Sequence, residues 1–163
     1  MLKLKDVSYK VFDNETGKEK YILKSLNIEF PQNKVTVITG HNGSGKSTLI
    51  KLLMGINNLS SGEILLDGKK MNDLSINERA NLGMTIAFQQ PVKFKGLTVR
   101  DLVNLASKEQ NQIPDACEYL AKVGLCAKDY IDRELDDRLS GGELKRIELA
   151  IALAKGGDVM LFD

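Results

Sequence analysis

Gly40-His41-Asn42-Gly43-Ser44-Gly45-Lys46-Ser47 constrains this chain more than any other stretch, because it fits G-x-x-x-x-G-K-[ST] between a β-branched run and a helical pattern. The residue types follow from what holding phosphate demands. Glycines reach left-handed φ and let the backbone approach an anion with no Cβ in between. The N–H groups of the loop then converge on that anion, helped by the positive end of a helix beginning near Lys46. Lys46 would reach the β- and γ-phosphates, and the Ser47 hydroxyl would ligate Mg²⁺. The expected cofactors are therefore ATP and Mg²⁺, held by Gly40 to Thr48. A flexible Gly/Ser linker is the competing reading, and the flanking strand and helix patterns argue against it. His41 is the only histidine. It reads either as a general base or, the favoured view, as a variable loop position turned away from the phosphates.

Around this loop the pattern alternates between strand and helix. Residues 2 to 30 read as β-structure, with Leu26, Ile28 and Phe30 alternating and the polar stretch 13–18 as a hairpin connection. Lys34 to Thr39 predicts a buried strand, and Leu49 to Leu53 a helix stopped by Gly55. A strand entering a turn follows at 61–68, a short helix at 76–82 and a strand at 84–88. Residues 98 to 125 predict two helical pieces broken near Pro114, the first opened by a Thr98–Asp101 capping box. The final helix starts at Ser140, and 159–163 is an apolar strand ending on a carboxylate. The fold class expected is α/β: a P-loop core with an antiparallel β-subdomain and a helical subdomain.

Leu139-Ser140-Gly141-Gly142-Glu143 opens a helix over 143–154 whose apolar stripe is Leu144, Ile147, Ile151 and Ala154. Ser140 with Glu143 is a capping box in its own right. Ser-Gly-Gly at a helix start is also a second anion site.

With these segments in order, the chain resembles the ABC ATPases over its whole length. LSGGE matches that family's signature, Gln89 its Q-loop, and Val159 to Asp163 its Walker B strand. The resemblance implies that Lys46, Gln89 and Asp163 are catalytic, that Gln89 also contacts nucleotide and Mg²⁺, and that Asp163 holds Mg²⁺ through water. It implies a second such domain as partner, in a head-to-tail homodimer where each ATP is capped by the other copy's Ser140, Gly141 and Gly142. It divides 1–163 into a β-subdomain and P-loop core (1–88), a Q-loop and helical subdomain (89–139), and a signature helix with Walker B strand (140–163). The family continues past Walker B with a water-polarising glutamate, a D-loop and a switch histidine. The chain stops at Asp163, so it reads as a C-terminally incomplete fragment of a longer product, expected to bind nucleotide, turn it over poorly and expose a sheet edge. The family's adenine-stacking aromatic matches Val11, with Tyr9 and Phe12 beside it. Within the family, residues 87–92 and 142–150 look like the ATPase of SUF-type iron–sulfur cluster assembly, with SUF scaffold proteins as partners. The alternative is the motor subunit of a membrane transporter, partnered by its membrane subunits. A non-catalytic, ATP-dependent dimerisation module is a third reading.

Composition narrows the remainder. With 23 basic against 22 acidic side chains there is no basic excess to predict a nucleic-acid partner. No apolar run reaches the ~20 residues of a membrane span, and the N-terminus lacks a signal-peptide core. A cytoplasmic protein, membrane-associated only through partners, is expected. Cys117 and Cys126, with one histidine in the chain, read as ordinary thiols rather than zinc ligands.

Overall fold

The computed structural model describes residues 1–13, 17–88, 94–107, 116–136 and 138–163. They fall into two units, Met1–Leu82 and Gly83–Asp163.

The first unit is built on a four-stranded antiparallel sheet. β1 (Leu2–Asp13) and β2 (Lys18–Phe30) form the predicted hairpin, from Leu2 opposite Phe30 to Asp13 opposite Lys18. β3 (Ser61–Leu66) lies on the other side of β1, and the short β4 (Lys69–Lys70) completes the order β2-β1-β3-β4. The core side carries Leu2, Leu4, Val7 and Ile64, all almost fully buried. At about 1.5–3 kcal/mol per fully buried aliphatic side chain, this face is what holds the sheet. Helix α1 (Lys46–Met54) buries Leu49, Leu52, Leu53 and Met54 and ends, as predicted, at Gly55. Helix α2 (Ile76–Asn81) follows, opened by a Ser75–Glu78 capping box.

One expected strand is missing. Residues 34–39 pair with no strand, and Val35 and Val37 stand 94% and 77% exposed. A β-branched run favours extended backbone, but a strand exists only when a neighbour takes up its N–H and C=O groups. No described strand supplies that neighbour, so the segment forms no strand and faces solvent where burial was expected.

In the second unit, β5 (Met84–Ala87) pairs in parallel with β8 (Val159–Phe162), Met84 opposite Val159 and Ala87 opposite Phe162. A small ribbon of β6 (Phe94–Thr98) and β7 (Glu134–Leu135) was not foreseen, β7 being two residues long. The helices are α3 (Val99–Ala106), α4 (Ala116–Lys122), α5 (Ala127–Tyr130) and α6 (Gly141–Lys155). The Thr98–Asp101 box is present, while the break expected near Pro114 lies outside the described residues. Val99, Val103, Leu120, Leu144, Ile147 and Ala150 form the core, with Ile151 packed against it. Among the described residues no helix is long and apolar enough to cross a membrane.

Candidate nucleotide site

The glycine-rich loop turns on Gly43 (φ 80°) and Gly45 (φ 91°), both left-handed as the spacing required. At Gly45 a side chain would also collide with the sheet, since a Cβ there would sit 2.8 Å from Leu23 Cδ2. The loop closes through the Ser44 N–H donating to the His41 carbonyl at 3.2 Å. Lys46 folds back over it, its Nζ donating to the carbonyls of Gly40 and His41, each at 2.8 Å. His41 lies outward, its Nδ1 2.9 Å from the Asn42 carbonyl and its ring exposed.

The start of α1 differs from those of its neighbours. Helices α2, α3 and α6 each open with a capping box, whose carboxylate sits in the first turn. α1 has Gly45 at its N-cap, no side-chain cap and no acidic residue in its first turn. Nothing negative from α1 itself offsets the positive end of this helix, which is what an incoming phosphate requires.

Behind α1 sits a charged group that the sequence pattern did not single out. Arg79 on α2 is only 3% exposed. Its guanidinium donates to the carbonyls of Leu52 and Leu53 at 2.8 Å each, Leu74 at 3.0 Å, Met71 at 2.7 Å and Asn72 at 3.3 Å. Burial lowers its pKa from the ordinary arginine value. A fixed cation thus closes the negative end of the helix whose positive end faces the loop.

An open groove of about 470 Å³ in the same unit is lined by Lys10, Val11, Phe12, Glu19, Tyr21 and two serines. Val11 and Phe12 were two of the three adenine candidates; Tyr9 does not line it. Tyr21 adds a second ring, with the Lys10 Nζ 4.9 Å from its centroid.

In the second unit the signature segment forms the predicted capping box. Ser140 Oγ accepts the Glu143 N–H at 3.3 Å, and Glu143 Oε2 accepts the Ser140 N–H at 2.6 Å. Ser140, Gly141 and Gly142 are exposed, and a Cβ on either glycine would meet nothing within 4 Å. The Tyr130 hydroxyl donates to Glu143 Oε1 at 2.6 Å, a contact 13 positions back that no local pattern marks. Tyr130 and then Ser140 stabilise the carboxylate, pushing its pKa down to about 2.

Because that pKa is depressed below its ordinary value of 4.5, the stabilisation is complete above that value and is lost as pH falls toward 2. Tyr130→Phe should therefore be less stable than wild type at neutral pH, with the gap closing at acid pH. Urea midpoints at pH 7 and 3 measure this; a gap of equal size at both would show that Tyr130 does not act through Glu143.

The strand expected over 159–163 ends one residue earlier, at Phe162, and Asp163 follows it, its N–H donating to the Ala87 carbonyl at 3.0 Å beyond the last β5–β8 pair. Gln89 lies outside the described residues. Among the described residues no three His, Cys, Asp or Glu side chains cluster to hold a metal. Mg²⁺ takes one or two carboxylates plus phosphate and water rather than a protein cage. The Ser47 hydroxyl in the first unit and the Asp163 carboxylate in the second are each oxygen groups of the kind Mg²⁺ takes.

An α/β fold whose glycine loop opens a helix with no cap of its own falls in the class of P-loop nucleotide-binding domains. The family model for ABC transporters matches residues 23–163, and the chain belongs to that family. It is 39% identical over 150 residues to an uncharacterised ABC transporter ATP-binding protein of Methanocaldococcus jannaschii, covering 87% of this chain and 60% of the relative. It is 37% identical to the glutamine transport ATP-binding protein of Geobacillus stearothermophilus, covering 88% of the chain and 61% of the relative. An energy-coupling factor transporter ATP-binding protein of Mesomycoplasma hyopneumoniae is 35% identical across 100% of the chain and 60% of its own length. The chain thus spans about 60% of the length of these curated relatives. Among solved structures it superposes on dimeric MJ0796, a bacterial ABC transporter cassette, with TM-score 0.86, 28% identity, and coverage of 100% of this chain and 73% of the other. The ADP- and phosphate-bound, post-hydrolysis dimer of that cassette gives TM-score 0.85 at 26% identity, with the same coverage.

Proposed function

We propose that this chain is the ATP-binding part of a motor subunit of an ABC transporter. The observation that carries nucleotide binding is the uncapped start of α1 behind a glycine loop, with Lys46 poised over it. Transport is supported by the relatives, two of which are named for transport of glutamine or for energy-coupling factor transporters. SUF-type cluster assembly, expected from residues 87–92 and 142–150, draws no such support and gives way to transport.

In this reading Gly40 to Thr48 wrap the phosphates, and the Lys46 ammonium neutralises the β- and γ-oxygens. The Ser47 hydroxyl, Gln89 and, through water, Asp163 are the Mg²⁺-side groups. Mg²⁺, when bound, offsets the charge that builds on the phosphoryl oxygens. Ser140, Gly141 and Gly142 present N–H groups to a nucleotide held by a second copy. Affinity capture of the full-length protein from its own cells tests the transport reading. Polytopic membrane proteins are expected to co-purify; SUF scaffold proteins in their place would restore the iron–sulfur reading.

The trans role of Ser140 has its own test. Ser140→Arg places a long cation where a second copy's nucleotide would be capped, at a folding cost of about 1 kcal/mol for the lost cap. The variant should bind ATP as wild type does and fail to dimerise with it, read by size-exclusion chromatography in ATP. Dimerisation as strong as wild type would rule the role out.

A further inference from the structure

Two side chains on α6 reach away from their helix and grip the backbone of another element. Glu148 Oε1 accepts the Phe88 N–H at 2.8 Å, and Lys145 Nζ donates to the carbonyl of the same residue. Lys145 Nζ also donates to Glu148 Oε2 at 2.9 Å and to the Asp163 carbonyl at 3.5 Å. The Asp163 N–H in turn meets the Ala87 carbonyl. One turn of α6 therefore holds the C-terminal ends of both parallel strands, β5 and β8.

This is more than a surface ion pair. The two side chains are largely shielded, at 33% and 16% exposed, and both are engaged with backbone at positions 57 and 60 residues away in sequence. The apolar stripe of α6 accounts for its packing without them. What they add is a side-chain tie from the helix to the backbone of Phe88 and Asp163. Phe88 immediately precedes Gln89, and Asp163 carries its carboxylate on the same residue whose carbonyl Lys145 touches. Ser140 caps the same helix.

We propose that Lys145 and Glu148 are positioning residues that lock the signature helix to the ends of β5 and β8 and so aim the Asp163 carboxylate. The inference rests on the reading of Asp163 as a metal-side carboxylate and adds the link that aims it. Groups that orient a metal's ligands typically change its affinity by about 10–100-fold when removed.

The test uses full-length protein with Mn²⁺ as the probe for the Mg²⁺ position, its binding in the presence of ATP followed by electron paramagnetic resonance. Lys145→Met and Glu148→Ala should each weaken Mn²⁺ by about tenfold or more. ATP affinity measured calorimetrically in EDTA should stay near wild type, because the P-loop contacts are untouched. Lys145→Arg should recover most of the loss, keeping a cation within reach of the carbonyls. Should either truncation fail to fold, Glu148→Gln answers in its place: it keeps an acceptor for the Phe88 N–H and removes only the charge that holds Lys145. Unchanged Mn²⁺ affinity would overturn the proposal, and so would equal losses of Mn²⁺ and metal-free ATP, which mark general destabilisation. Asp163→Asn separates the two layers. If it leaves Mn²⁺ binding intact, the metal-side reading falls and the proposal with it. If it weakens Mn²⁺ while Glu148→Ala does not, only the positioning role falls.

Discussion

Lys46→Ala should slow ATP turnover by about 10²–10³-fold in the full-length protein, the usual loss when one donor that stabilises transition-state charge is removed. The ammonium has three donors, and two are taken by the Gly40 and His41 carbonyls. The same cation therefore braces the loop and stands beside the backbone proposed to wrap the phosphates. Alanine removes both functions, so ATP affinity should fall together with turnover. The fold should survive, because two hydrogen bonds at the surface contribute about 1 kcal/mol each. Lys46→Arg should rescue little, since a planar fork cannot follow the two carbonyls as a compact ammonium does. Calorimetric ATP titration and steady-state turnover read the two losses. Turnover of Lys46→Ala within about threefold of wild type would remove Lys46 from the chemistry, that being under 1 kcal/mol of barrier.

How much of this was legible in the sequence depends on how local each feature is. The P-loop conformation, the Thr98 and Ser140 capping boxes and the Gly55 stop all lie within a few residues of their causes, and all stand where the spacing put them. The β1–β2 hairpin was readable for the same reason. Residues 34–39 were misread because β-branching reports a preference for extended backbone and says nothing of a partner. Tyr130 with Glu143, and Lys145 and Glu148 with Phe88, escaped notice because their partners are 13 to 60 positions distant. Their residue types, moreover, are those of any solvated helix face. Arg79 was hidden in the same way, one basic residue in a polar helical turn.

Arg79→Leu is expected to cost about 3 kcal/mol or more, lowering the melting temperature by about 6–12 °C for a chain of this size. Leucine would fill much of the space, so the loss is not chiefly one of packing. The Leu52 and Met71 carbonyls keep second donors, the N–H groups of Gly55 and Leu74. The Leu53 carbonyl loses the guanidinium that serves it, and a buried polar group stripped of a charged partner costs about 1–3 kcal/mol. The negative end of α1 also loses its cation, a contribution of up to about 2 kcal/mol where the site is partly buried. Arg79→Lys discriminates between charge and shape. A single ammonium restores the cation but cannot span the carbonyls of 52–53 and 71–72 at once, so it should recover part of the loss and no more. Full recovery by lysine would mean that charge alone matters. No loss in the leucine variant would mean that the end of α1 is held by its apolar face, Leu49, Leu52, Leu53 and Met54, without help from the guanidinium. The link to function is geometric: α1 is nine residues long, so whatever loosens its last turn is two turns from the glycine loop. ATP affinity of the leucine variant, measured well below its melting temperature, should therefore fall along with stability.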